Sequence, residues 1–171
     1  MFEKLETLYI SQSGKCPSGC TYCFSSTKQD YTIEKLTKFW EWFQEKPSAK
    51  AFGFLGFDPV DFKTLMFLKQ LSNPKNIKLR VDMNGCDFNN SVLRNIHIAF
   101  LDGLLDIPNI QLTIKVPTEE LPLLKIVNDL PKENIIIKLI IRPDNFQNIQ
   151  QELIQLVGDG FYQYSIAYTR I

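Results

Sequence analysis

Net charge is what this chain most plainly lacks. Its 19 Lys plus Arg balance 19 Asp plus Glu over 171 residues, so no global field draws it onto a nucleic-acid backbone or an anionic membrane. Also missing is any apolar run of the roughly 20 residues a membrane span requires; Lys or Glu interrupts each candidate, beginning with Glu3, Lys4 and Glu6. A soluble, cytoplasmic protein is expected, with neither nucleic acid nor membrane as partner. Histidine occurs once, at His97, in the middle of a weak helical pattern that suggests surface or core filling. Cysteine occurs four times, and three of the four fall within eight residues. Neighbours so close cannot staple distant parts of a fold, which excludes a secreted disulfide framework and favours a reducing compartment and a metal. No internal repeat, linker or low-complexity segment divides the chain. At 171 residues it is too short for an eight-unit barrel and reads as one domain, 1–171.

What is present is a regular alternation of short patterns. Leu5 to Ile10 alternates with period two and breaks at Gly14, as a strand followed by a loop would. From Thr32 to Lys46, Ile33, Leu36, Phe39, Trp40 and Phe43 recur at helical spacing, with Thr32 as N-cap and Pro47 as stop. Strand and helix then repeat: Ala51–Phe57, Val60–Leu71, Ile77–Met83, a weaker helix over Val92–Leu101, Ile110–Val116, Leu121–Leu130, Ile135–Ile141, Asn148–Val157 and Tyr162–Tyr168. Six strands separated by five helices demand crossover connections and a mostly parallel sheet, hence the α/β class. The strand Ile135–Ile141 is apolar except for Lys138, as expected where both sheet faces are covered. Thirteen phenylalanines scattered along the chain suit core and strand filling better than a stacking platform for single-stranded nucleic acid. Periodicity alone leaves two architectures open, a partial barrel and a doubly wound sheet.

The chemistry concentrates in Lys15-Cys16-Pro17-Ser18-Gly19-Cys20-Thr21-Tyr22-Cys23-Phe24, on the loop after the first strand. Three thiolates on a short loop can hold three irons of a cubane cluster and leave the fourth without a protein ligand, open to a bidentate small molecule. Gly14 and Gly19 let the loop wrap closely enough for amide N–H groups to approach the cluster sulfurs. Three alternatives compete: a zinc site completed by Cys86 or His97, a ferredoxin-like carrier, and three unligated thiols. Structural zinc usually draws paired knuckles and no second knuckle exists here; a ferredoxin run would space the cysteines by two and supply a fourth.

The spacing of Cys16, Cys20 and Cys23, with the aromatic Tyr22 before the last, resembles the signature of radical S-adenosylmethionine enzymes. The resemblance implies an open partial (βα)6 TIM-like barrel with parallel strands. It further implies one [4Fe-4S] cluster on the three cysteines, and S-adenosylmethionine chelated to the open iron. Reductive cleavage of that cofactor would give a 5′-deoxyadenosyl radical that abstracts hydrogen from substrate, with an external electron donor such as flavodoxin or ferredoxin. Tyr22 then lies near the adenine. Gly56-Phe57-Asp58-Pro59 resembles the family's Gly-Gly-Glu-Pro motif, which receives the methionine ammonium group; Phe57 replaces the second Gly and Asp58 the Glu. An ordinary turn, with Asp58 as N-cap and Pro59 at the first helical position, is equally sound physically.

Further along, Met83-Asn84-Gly85 resembles the family's Thr-Asn-Gly strand ending, although Asn84-Gly85 alone is a turn signal. Thr113 and Lys115, and Arg142 after the fifth strand, stand where relatives gather polar groups for the cofactor's ribose and carboxylate. Their alternatives are a solvated strand-end Lys and a loop salt bridge with Asp144. Cys86, at the end of the third strand, is placed to donate a hydrogen atom to a product radical, or else is a small buried apolar residue. One spare thiol cannot hold an auxiliary cluster, which argues against the multi-cluster peptide-maturing branch. Small size suits glycyl-radical activating enzymes, as does Pro143-Asp144-Asn145-Phe146, but Phe24-Ser25-Ser26-Thr27 replaces their usual Asn-Pro. Deazaguanine synthases are another small relative, and the substrate, whether protein, peptide or small molecule, is not specified. From another class, a noncatalytic metal-binding or degenerate barrel domain acting through a partner also fits the altered Gly56-Phe57-Asp58-Pro59.

Overall fold

The computed structural model describes residues 4–11, 31–57, 62–84, 94–117, 132–141 and 164–168, with Gln151, Ile154, Val157, Gly158 and Gly160 between them. Its strands are β1 (Thr7–Ser11), β2 (Ala51–Phe57), β3 (Lys78–Asn84), β4 (Ile110–Pro117), β5 (Ile135–Ile141) and β6 (Tyr164–Tyr168). Its helices are α1 (Ile33–Gln44), α2 (Phe62–Gln70) and α3 (Arg94–Leu105), and a 3-10 turn, Lys132–Asn134, leads into β5. The helix expected over 121–130 lies outside the described residues; of the one expected over 148–157, Gln151, Ile154 and Val157 are described and helical.

All five strand pairings are parallel, and the strands lie in chain order, β1-β2-β3-β4-β5-β6, with β1 and β6 as edges. A doubly wound sheet reverses its order at a switch point, and this one does not. Right-handed crossovers in a monotonic order put every helix on the same side, and α1 indeed packs on α2 and α2 on α3.

Helix termini follow local chemistry. The Thr32 side chain accepts from the Lys35 N–H at 3.4 Å, the N-cap bond expected of it. The helix it starts ends at Gln44, a turn before Pro47, with the N–H of Lys46 closing onto the Phe43 carbonyl at 3.0 Å. Asn73 ends the next unit by bracketing Ile77, donating to its carbonyl at 2.8 Å and accepting its N–H at 2.9 Å. The third helix is longer than its weak pattern suggested, reaching Leu105, because tertiary packing of Phe100, Leu101 and Leu104 compensates for Gly103. Gly103 itself permits close approach, since a Cβ there would sit 3.3 Å from Leu65 Cδ2.

One apolar layer fills the space between helices and sheet. Leu36, Trp40 and Phe43 of α1, Leu65 and Leu68 of α2, and Phe100, Leu101 and Leu104 of α3 meet Phe52, Phe54, Leu79, Val81, Met83, Leu112, Ile114, Ile135, Ile137 and Leu139. Phe52 is its hub: its ring lies 5.3 Å from Trp40, 5.8 Å from Phe43 and 5.6 Å from Phe54, mostly edge-to-face. The Trp40 indole N–H is satisfied by the Ser72 carbonyl at 3.2 Å.

The other face of the sheet differs. Residues alternate between faces along a strand, and the positions opposite the core are Tyr9, Gly53, Leu55, Lys78, Arg80, Asp82, Gln111, Thr113, Ile136 and Lys138. This corrects the reading of the fifth strand. Ile135, Ile137 and Leu139 are fully buried, but Ile136 and Lys138 are only partly so, because the described helices cover one face. Among the described residues no helix is long and apolar enough to cross a membrane.

Phe52→Ala should lower unfolding free energy by about 3–5 kcal/mol, through lost transfer energy and a residual cavity. Met66→Ala, at a site 52 % exposed, should change it by less than about 0.5 kcal/mol. Urea unfolding of the two variants checks the pair, and an equal cost would place the core elsewhere.

Candidate functional site

In a parallel sheet every strand ends on the same edge. The segment carrying Cys16, Cys20, Tyr22 and Cys23 follows in sequence after Ser11, the last residue of β1. Gly56 and Phe57 close β2, Asn84 closes β3, Lys115 lies near the end of β4, and Arg142 follows Ile141, the end of β5. The three cysteines, Tyr22, Asp58, Cys86 and Arg142 lie outside the described residues. Among the described residues no group of three metal-ligating side chains occurs.

Register places the remaining positions relative to one another. Asn84 pairs with Lys115, Lys115 with Lys138 and Lys138 with Ser165, a single row across four strands. Thr113 lies two rows lower, the next position on the same face, between Asp82 and Ile136. Asn84, Lys115 and Thr113 are thus brought into one neighbourhood by the backbone alone.

The second strand is irregular where the altered motif begins. Phe54 pairs with Val81 and Phe57 with Met83, so three steps on β2 match two on β3. This bulge puts Phe57, rather than Gly56, in register with Met83, and it re-aims the chain just before Asp58. Bulges of this kind are enriched beside functional sites, and a glycine inside a strand pattern marks them. Gly56 was therefore a legible signal.

Deeper on the open face lies a group that sequence reasoning missed. Tyr9, Gly53, Arg80 and Gln111 form one row across β1 to β4. Tyr9 reaches over Gly53 so that Arg80 Nη1 donates to its hydroxyl at 2.9 Å, two strands away. Only glycine allows this: a Cβ at position 53 would stand 2.5 Å from Tyr9 Cε1. Asp82, 8 % exposed, is a buried acid on the same face. The signal available in sequence was the alternation Lys78, Arg80, Asp82, Asn84 against Leu79, Val81, Met83, which marks one face of β3 as polar throughout.

A groove of about 420 Å³ lies at the opposite edge, where Leu71, Asn73 and Asn76 precede β3 and Asp106, Ile107 and Pro108 precede β4. Its lining includes none of the candidate site residues named above. Comparison of the chain with protein-family models, curated proteins and solved structures finds no match.

The Tyr9–Gly53 packing is directly testable. Gly53→Ala should cost about 1–3 kcal/mol through overpacking, whereas in a Tyr9→Ala background the same change should fall within about 1 kcal/mol of neutral. A double-mutant cycle by urea unfolding measures the coupling; additive costs would show that Tyr9 does not lie over Gly53.

Proposed function

We propose that the chain is a minimal radical S-adenosylmethionine enzyme, its sheet curved into an open partial (βα)6 barrel with the polar face inside. The observation that carries this reading is the spacing of Cys16, Cys20 and Cys23 on the loop that follows β1. That segment follows β1 in sequence, and Gly56, Phe57, Asn84 and Lys115 lie at or near the ends of the neighbouring strands. Monotonic strand order with helices on one side supports the barrel, since a twisted parallel sheet layered on one face curls toward the other.

The donor set suits the group. Three thiolates within eight residues match a [4Fe-4S] cluster with one iron left for a small-molecule chelate. That cluster, when reduced by flavodoxin, ferredoxin or a similar donor, supplies the electron for cleaving S-adenosylmethionine. The chain's own residues do the positioning. Tyr22 flanks the adenine; the strand-end backbone at Gly56 and Phe57, with Asp58, receives the ammonium group; Asn84, Thr113, Lys115 and Arg142 serve the ribose and carboxylate. Cys86 stands in line as a hydrogen donor to a product radical. A shorter acid at position 58 has to sit closer or use a bridging water.

The altered Gly56-Phe57-Asp58-Pro59 also favours a second reading, a noncatalytic domain holding zinc with Cys86 as fourth ligand. Anaerobic reconstitution separates the two. The full chain should take up roughly four irons and, with a strong reductant, convert S-adenosylmethionine to methionine and 5′-deoxyadenosine, measured by mass spectrometry. Cys20→Ala should abolish both. One tightly held zinc, lost on Cys86→Ala, would sink the enzyme reading.

A further inference from the structure

The polar face of the sheet carries an arginine that is held in place yet has no anionic partner among the described residues. Arg80 is partly buried, and its hydrogen bond to Tyr9 fixes Nη1. Its Nε is buried with no acceptor among the described residues. It forms no ion pair among them either, the described pairs being Lys50–Glu6 and Lys69–Asp106. Asp82, two residues along the same face, is engaged in interactions of its own. A buried N–H without an acceptor is costly, and the Arg80 guanidinium carries one. Among the described residues this face also holds Lys78 beside Arg80 and Lys138 further along, against the one acid Asp82.

We propose that Arg80 is an anion-binding residue, taking the carboxylate or phosphate group of a small-molecule ligand on the Nε–Nη2 edge that Tyr9 does not occupy. With Nη1 occupied, the remaining edge presents two parallel N–H donors, the fork that oxyanions accept in bidentate fashion. Tyr9 and Gly53 together make the site. The glycine clears the path, the tyrosine hydroxyl orients the guanidinium, and Gln111 is next in the row. Arg80 is four residues below Asn84, about 13 Å along the strand, so a ligand anchored here extends toward the edge where the cysteine loop begins. That this ligand is the substrate of a radical enzyme rests on the proposed function; that Arg80 binds an oxyanion does not.

The test uses the full-length chain labelled with nitrogen-15, in which four arginines give a simple Nε–H spectrum and Arg80→Lys identifies the Arg80 signal. Acetate and inorganic phosphate are titrated at constant ionic strength, with chloride as the balancing anion. One of the two should shift the Arg80 Nε–H signal saturably, and which one does so distinguishes a carboxylate from a phosphate ligand. Calorimetry of the same titration should show affinity falling about tenfold or more in Arg80→Lys, which keeps the charge but loses the fork. Tyr9→Phe keeps the packing over Gly53 and should weaken binding by about threefold or more through loss of the orienting hydroxyl. No saturable shift with either anion would overturn the proposal, as would undiminished binding in both variants. Neither cluster nor S-adenosylmethionine is needed, so a failure here and a failure of cofactor cleavage are separate results.

Discussion

Burial of one face of a parallel sheet under one layer of helices is the constraint on which everything else in this protein depends. Each βα unit returns the chain to the same side, so Phe52, Phe54, Val81, Leu112 and Ile137 must all point toward α1, α2 and α3. Because side chains alternate, the residues between them face the other way, and the described helices do not cover them. That face is free to carry Tyr9, Arg80, Asp82, Gln111, Thr113 and Lys138, which would be costly in a core sealed on both sides. The same parallel winding brings every strand's carboxyl end to one edge. A polar floor and a common rim follow from one packing decision.

Much of this was legible in the sequence. β2 and β5 run over Ala51–Phe57 and Ile135–Ile141 as their apolar runs indicated, and α1 starts at Thr32 because its side chain caps the helix. The third helix was underestimated, since Gly103 lowers local propensity while Phe100 and Leu104 pack in a way no local window reveals. The fifth strand misled in the opposite direction. Seven nearly apolar residues imply cover on both sides, yet Ile136 and Lys138 are only partly buried. Whether a sheet has one helix layer or two depends on strand order, which periodicity does not encode.

The site shows the same division. The rim residues were legible because strand endings can be read from local patterns, and register sets Asn84 beside Lys115. The Tyr9–Gly53–Arg80 row was not, because it joins residues 71 apart in the chain through a contact that exists only once β1, β2 and β3 are paired. Charged residues alternating with apolar ones along β3 hinted at it. The bulge at Gly56 is an intermediate case: glycine inside a strand announced an irregularity, but its consequence, Phe57 in register with Met83, needed the neighbouring strand. The two proposals thus rest on different foundations, the cluster on a local motif and the anion site on tertiary geometry.

In the proposed enzyme, Cys16, Cys20 and Cys23 leave one iron open, and that iron binds S-adenosylmethionine directly. Electron–nuclear double resonance of the reduced, reconstituted protein tests it, using cofactor labelled with nitrogen-15 at the amine and oxygen-17 at the carboxylate. Hyperfine coupling of both labels to the cluster spin is expected. A reduced cluster whose spectrum is unchanged by the labelled cofactor would contradict it.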